Sequence, residues 1–195
     1  MSLTARDLNA ALWAAADEMR SVMSADVYKD YLLGLVFYKA LSDKILVEAY
    51  ELLNDAKPES LEVAQQAYEE AGADEETWGD LKAELEDRFG CAIKPNMTFS
   101  AFYQQINNRT FMLDNLSQAF RDVEAAGGGV YAGLFDDFDI QSKDLGKTPD
   151  KRNSMISAVL SKLASIDFSL YPEDALGDAY EYLESSSKPP VPKPN

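Results

Sequence analysis

Histidine and cysteine, two of the side chains that most often do chemistry in enzymes, are nearly absent from this sequence. Of its 195 residues none is histidine, and Cys91 is the single cysteine. The lack of histidine excludes a Ser-His-Asp triad, a histidine general acid or base and a histidine-ligated metal. One thiol excludes an internal disulfide and a cysteine-rich zinc or iron–sulfur site. We interpret Cys91 as a small buried apolar residue, and the sequence predicts no catalytic residue and no metal ligand.

Charged side chains at helical spacing form a second group that could do chemistry. Lys29, Lys39 and Asp43 lie beside apolar positions of the predicted central helix, where a charge that is not paired costs several kcal/mol. Asp17 and Arg20 share one flank of the first predicted helix with Trp13, because residues three, four and seven apart lie on one side of a helix. We therefore predict a structural ion network, rather than a ligand site, formed by Asp17, Arg20, Lys29, Lys39 and Asp43.

The distribution of charge separates an acidic segment from a small basic one. The net charge is −16, and the segment from Glu48 to Gly90 alone has 14 acidic and 3 basic residues. Such a charge opposes binding of the whole chain to DNA, RNA or anionic lipid. A local concentration of positive charge surrounds the helix start predicted at Thr148-Pro149, whose backbone N–H groups could bind a phosphate. The predicted DNA-binding residues are Arg109, Lys143, Lys147, Lys151 and Arg152. The alternative for this stretch is a solvated loop.

The elements that must position these residues are predicted to be helices. Apolar residues recur at helical spacing through most of the chain, which predicts an all-α fold, a helical bundle. The segment Tyr28–Leu41 is apolar on nearly all sides, so a central helix is predicted at about 26–53. An irregular loop with aromatic anchors is predicted at about 127–147.

No targeting or membrane-spanning segment is expected. The longest apolar stretch, Tyr31–Tyr38, has eight residues, whereas a bilayer needs about 20. The N-terminus has no basic stretch followed by an apolar one, as a signal peptide would. We expect a cytoplasmic protein that does not bind membranes.

Three runs of residues resemble one known family. They are LWAAADEMR at 12–20, YKDYLLGLVFYKALSD at 28–43 and LGDAYEYL at 176–183, and shorter matches lie at Asn115–Phe120, Arg152-Asn153 and Phe168. Together they look like the opening of the modification (M) subunit of type I restriction–modification enzymes. That family begins with a helical domain patterned LWxAADxxR…M…YKxYxLxLxFxKxLSD, and the third run resembles the helix that leads into its methyltransferase domain.

The resemblance implies a function for the parent protein. The family consists of site-specific DNA methyltransferases that use S-adenosylmethionine to methylate N6 of adenine. Its partners would be a specificity subunit, a second M subunit, a restriction subunit and double-stranded DNA. The N-terminal helical domain would pack against the catalytic domain, the specificity subunit and DNA, and would help to clamp the duplex.

The chain departs from the family after Leu183. There the family continues into a GxFYTP segment and a domain that binds S-adenosylmethionine and carries an Asn-Pro-Pro-Tyr/Phe motif. The tetrapeptide KPPV at 188–191 lacks the asparagine that would hydrogen-bond a flipped adenine and the aromatic residue that would stack on it. We therefore expect a helical N-terminal domain at 1–183, a linker or tail at 184–195 and no catalytic domain. Alone, the chain should be inactive and should bind no cofactor.

Two other functions remain open at this point. One is a helical adaptor that binds only proteins. The other is an acidic mimic of DNA, which the charge of −16 suggests. Salt-dependent binding to duplex DNA would distinguish both from the M-subunit function.

Overall fold

Helices are the main secondary structure in the part of the chain that its structure describes. A computed structural model describes residues 3–171, 174, 175, 177–179 and 181, and no β-strand occurs among them. They divide into two compact units, one formed by the residues up to Val36 and from Gln141 onward, the other by Phe37–Ile140. The predicted all-α class is confirmed, whereas the predicted tail at 184–195 lies outside the described residues.

The helices are numbered here in chain order. The α-helices are α1 (Ala5–Ala15), α2 (Asp17–Arg20), α3 (Ala25–Asn54), α4 (Leu61–Gly72), α5 (Glu75–Phe89), α6 (Phe99–Asn107), α7 (Leu113–Ala125) and α8 (Pro149–Ala164). Short 3₁₀ turns lie at Pro95–Met97, Gly127–Gly129 and Phe168–Leu170.

In the first unit, α1 begins with a capping box at Thr4. The Asp7 N–H donates to the Thr4 hydroxyl at 3.3 Å, and the Thr4 N–H donates to the Asp7 carboxylate at 2.7 Å. Two donors that a helix start leaves unpaired are thereby satisfied. The predicted apolar stripe, Leu8, Leu12, Ala15, Ala16 and Met19, is buried throughout. It packs with α8, which contacts both α1 and α2.

The long helix α3 is the central helix that the sequence predicts. It spans 30 residues, one residue more at each end than the predicted 26–53. Its fully buried side chains include Leu32, Leu35, Tyr38, Ile45 and Leu46. Val36, Ala40 and Leu41 are also buried and point to the other sides of the helix, so α3 is surrounded by protein over much of its length.

In the second unit, aromatic rings hold the irregular segment that follows α7. The rings of Tyr38 and Phe120 are 5.1 Å apart, and Phe135 stacks on Phe120 with a centroid distance of 3.9 Å. The Phe135 N–H also donates to the Glu124 carboxylate at 3.1 Å. The predicted loop with aromatic anchors at 127–147 is confirmed.

Among the described residues, no helix is both long enough and apolar enough to cross a membrane.

Candidate functional site

The basic residues near the start of α8 lie on an exposed turn. Thr148 caps the helix, since its hydroxyl accepts the Lys151 N–H at 3.2 Å, and Pro149 occupies the first turn. The side chains of Lys143, Lys147 and Lys151 are exposed. Pro149 has no N–H and that of Lys151 is used by the cap. Two backbone groups of this helix start are thus unavailable to an anion, and the positive charge here is supplied by the lysine ammonium groups.

Arg152 has a different environment from the three lysines. Its side chain is half-buried and donates to the backbone carbonyl of Gly146 at 3.1 Å. A Cβ atom on Gly146 would lie 2.7 Å from the Cβ of Lys151 and 2.9 Å from the Arg152 nitrogen. The turn that presents Lys147 therefore needs glycine at 146, and Arg152 holds this turn closed.

Arg109 belongs to the other unit, at the end of α6. Its side chain is exposed, and its backbone has φ of +59°, in the left-handed region. The five predicted DNA-binding residues are thus divided, four in the first unit and one in the second.

Four of the five predicted ion-network residues form two separate pairs. In the first unit the Arg20 guanidinium binds the Asp17 carboxylate at 2.7 Å and lies 3.9 Å from the centre of the Trp13 ring. It also donates to the Trp13 carbonyl oxygen. A cation over an indole face is attracted by the ring electrons, so Arg20 fastens α2 to α1.

The second pair is buried within α3. Lys39 Nζ lies 2.6 Å from Asp43 Oδ2, with side-chain exposures of 2% and 15%. The ammonium is also 5.1 Å from the centre of the Phe99 ring. Lys29 is buried as well, but within the described residues it makes no ion pair.

The acidic segment forms the exposed faces of α4 and α5. The carboxylates of α5 are all exposed, at Glu75, Glu76, Asp80, Glu84, Glu86 and Asp87. Arg88 forms an ion pair with Glu84 within α5 and another with Glu48 of α3. Among the described residues no group of three acidic or cysteine side chains could hold a metal ion.

A cleft of about 280 Å³ in the second unit was not predicted from the sequence. It is lined by Tyr38, Trp78, Lys82, Glu86, Ala92, Ile93, Lys94, Met97, Ala119, Asp122, Val123 and Ala126. Two lysines and two carboxylates give it no net charge. Cys91 lies close in sequence, but it is fully buried, and burial raises its thiol pKa to about 11. A thiol with that pKa is protonated at neutral pH and is not a nucleophile, which agrees with the interpretation of Cys91 as a buried apolar residue.

Comparison with known proteins gives one consistent family. The HsdM N-terminal domain family matches residues 8–163. The chain is 28% identical over 187 residues to the type I restriction enzyme MpnII methylase subunit of Mycoplasma pneumoniae, covering 89% of this chain and 33% of that protein.

A crystal structure agrees with the sequence comparison. The type I restriction-modification system methyltransferase subunit from Streptococcus thermophilus superposes with a TM-score of 0.86 and 45% identity, over 92% of this chain and 38% of that one. The chain therefore spans between a third and two-fifths of the length of these relatives. By the match over residues 8–163, the chain belongs to the HsdM N-terminal domain family.

Proposed function

We propose that this chain is the DNA-clamping and subunit-contacting domain of an adenine-specific type I DNA methyltransferase. The observation that carries the proposal is the family match over residues 8–163. In the complete protein the partners are a specificity subunit, a second M subunit, a restriction subunit and duplex DNA, all in the cytoplasm. Incubating the full-length subunit and its specificity subunit with duplex DNA and labelled S-adenosylmethionine tests this. Label on adenine N6 supports the proposal, and its absence contradicts it.

The start of α8 is the proposed contact with the DNA backbone in the first unit. Lys147 and Lys151 are exposed on a turn that Arg152 closes through Gly146. Lysine side chains bind phosphate as point charges, so the two lysines act directly and Arg152 acts by positioning them. The acidic helices α4 and α5 would repel a phosphate backbone, and they face solvent or a protein partner instead.

We expect the double variant Lys147→Ala/Lys151→Ala of the complete enzyme to have a shallower salt dependence of DNA binding. Each lost phosphate contact lowers the slope of log K against log salt by about 0.9, so the slope should fall by about 2. The measurement is fluorescence anisotropy of labelled duplex DNA over a salt series. Lys82→Ala is the matched control, since Lys82 is an exposed lysine of the acidic helix α5. An unchanged slope in the double variant removes this turn from the DNA interface. A protein-only adaptor or a DNA mimic would show no salt-dependent binding at all.

The described residues of this chain lack the kind of site that S-adenosylmethionine is expected to need. Sites for such cofactors use a glycine-rich turn between a strand and a helix, and the described residues contain no strand. The glycine run Gly127–Gly129 follows helix α7. In the complete enzyme S-adenosylmethionine would supply the methyl group, and we expect residues other than the described helical ones to hold it.

We expect calorimetry of this chain with S-adenosylmethionine to show no heat of binding, whereas the full-length subunit binds it. The reason is the lack of a cofactor-binding turn and of the catalytic motif in this sequence. A micromolar affinity of the chain alone would show that the helical domain itself holds the cofactor.

A further inference from the structure

The longest stretch of this chain without a carboxylate side chain runs from residue 88 to residue 113. Aspartate and glutamate make up 34 of the 195 residues, yet these 26 consecutive positions contain none. The second longest such stretch, 151–166, coincides with helix α8. These stretches add no negative charge of their own to the surfaces that they form, although α6 packs against the acidic helix α4.

Within the first stretch, α6 and the turn after it expose a set of polar and apolar side chains. This set, here named the α6 surface, consists of Tyr103, Gln104, Asn107, Asn108, Arg109, Thr110 and Met112. Among the described residues, the side chains of Gln104, Asn107 and Asn108 make no hydrogen bond, and Arg109 makes no ion pair. The α6 surface therefore has donors and acceptors available for another molecule.

The backbone holds Arg109 in a defined position. The Arg109 N–H donates to Ile106 at 3.1 Å and the Thr110 N–H donates to Gln105 at 2.8 Å, which closes the end of α6. The Gln105 amide in turn donates to the Asn96 carbonyl at 2.9 Å. This closure gives Arg109 its φ of +59°, a conformation that glycine or asparagine adopts at lower cost. The local backbone therefore does not favour arginine at this position, and the exposed guanidinium is accessible to another molecule.

We propose that the α6 surface is a second contact with duplex DNA, an inference that rests on the proposed function. The Arg109 guanidinium binds a phosphate, and the amides of Asn107 and Asn108 bind phosphate or base-edge atoms of the neighbouring nucleotides. Asparagine and arginine are the side chains suited to both kinds of contact. A protein partner is the other candidate, because tyrosine and methionine are enriched in protein interfaces. Three unpaired amides beside an uncompensated guanidinium fit a polyanion with many acceptors better.

The test uses Arg109→Gly in the full-length subunit bound to its specificity subunit. Glycine removes the charge and suits φ of +59°, so the melting temperature should not fall. The salt slope of DNA binding should fall by about 0.9, as expected for one lost phosphate contact. The double variant Asn107→Ala/Asn108→Ala should lower the affinity about two- to tenfold per lost hydrogen bond. It should leave the slope unchanged, because neutral amides displace no counterion.

Arg121→Ala is the matched control. Arg121 is an exposed arginine of α7 in the same unit, and its guanidinium already bonds to Ser117 at 2.9 Å and Gln118 at 2.8 Å. The salt slope of DNA binding by Arg121→Ala should equal that of the wild type.

Wild-type DNA binding by both α6 variants, with a reduced slope in Lys147→Ala/Lys151→Ala, would overturn this inference and leave the proposed function standing. Loss of the specificity subunit from the α6 variants during gel filtration would also overturn it, because the α6 surface would then be a protein interface. A wild-type complex that does not bind DNA would refute the proposed function itself.

Discussion

Replacing Leu35 with alanine is expected to lower the free energy of unfolding by about 2–5 kcal/mol. Leu35 lies in α3 and is 0% exposed, next to the equally buried Leu32 and Val36. Alanine would leave a cavity, because side chains packed at interior density close such a gap only in part. Urea unfolding followed by circular dichroism measures the change, which is calculated from the shift in the midpoint of the urea transition at a constant m-value.

Leu52 provides the control on the same helix. It is 39% exposed, so Leu52→Ala removes far less buried apolar area and should cost less than about 1 kcal/mol. A loss below about 0.5 kcal/mol for Leu35→Ala would contradict the central position of α3.

Local signals in the sequence are sufficient to predict most of the helices. The capping box at Thr4, the Thr148-Pro149 start of α8 and Gly90 after α5 act through backbone groups only a few residues away. Such short-range chemistry can be read from the sequence without knowing the fold. The break between α1 and α2 was not predicted, because the apolar stripe continues without interruption across Ala16.

Side-chain partners are harder to predict, because they depend on which residues approach across a turn or along a helix. The sequence places Arg152 among basic residues, but its bond to Gly146 depends on a tight turn that only the structure describes. Lys29 and Lys39 share a side of α3 by angle, yet ten helical residues separate them by a rise of about 15 Å. The angle around the helix axis alone therefore cannot distinguish Lys29 and Lys39, which are far apart along the helix, from Lys39 and Asp43, which are one turn apart.

The residues that carry the family resemblance are not the residues that are proposed to bind DNA. The runs at 12–20 and 28–43 that carry the family resemblance contain the Arg20–Asp17 and Lys39–Asp43 pairs. Both pairs bind within the chain, so these runs report on how the domain is held together. The proposed DNA contacts at Lys147, Lys151 and Arg109 lie outside these two runs but within the family match over residues 8–163, which does not itself assign them a role.

Replacing Lys39 with alanine is expected to destabilise the protein by about 3–5 kcal/mol. Lys39 Nζ is 2.6 Å from Asp43 Oδ2, and the two side chains are 2% and 15% exposed. The variant removes the ammonium from beside a largely buried carboxylate, and water cannot replace it fully. It also removes the packing of the lysine chain near Phe99. Urea unfolding compared with the wild type measures the loss.

Two further variants separate the charge from the packing. Lys39→Met keeps most of the side-chain volume and should still be strongly destabilising, because the Asp43 carboxylate loses its opposite charge. Adding Asp43→Leu should recover most of the stability, since the replacement of a buried ion pair by apolar residues of similar size is often neutral or stabilising.

Asp17→Ala is the control at an exposed ion pair. Asp17 is 70% exposed in its pair with Arg20, and surface pairs contribute about 0–1 kcal/mol. If Lys39→Met proved as mild as Asp17→Ala, the Lys39–Asp43 pair would be solvated, and the buried position of this part of α3 would be wrong.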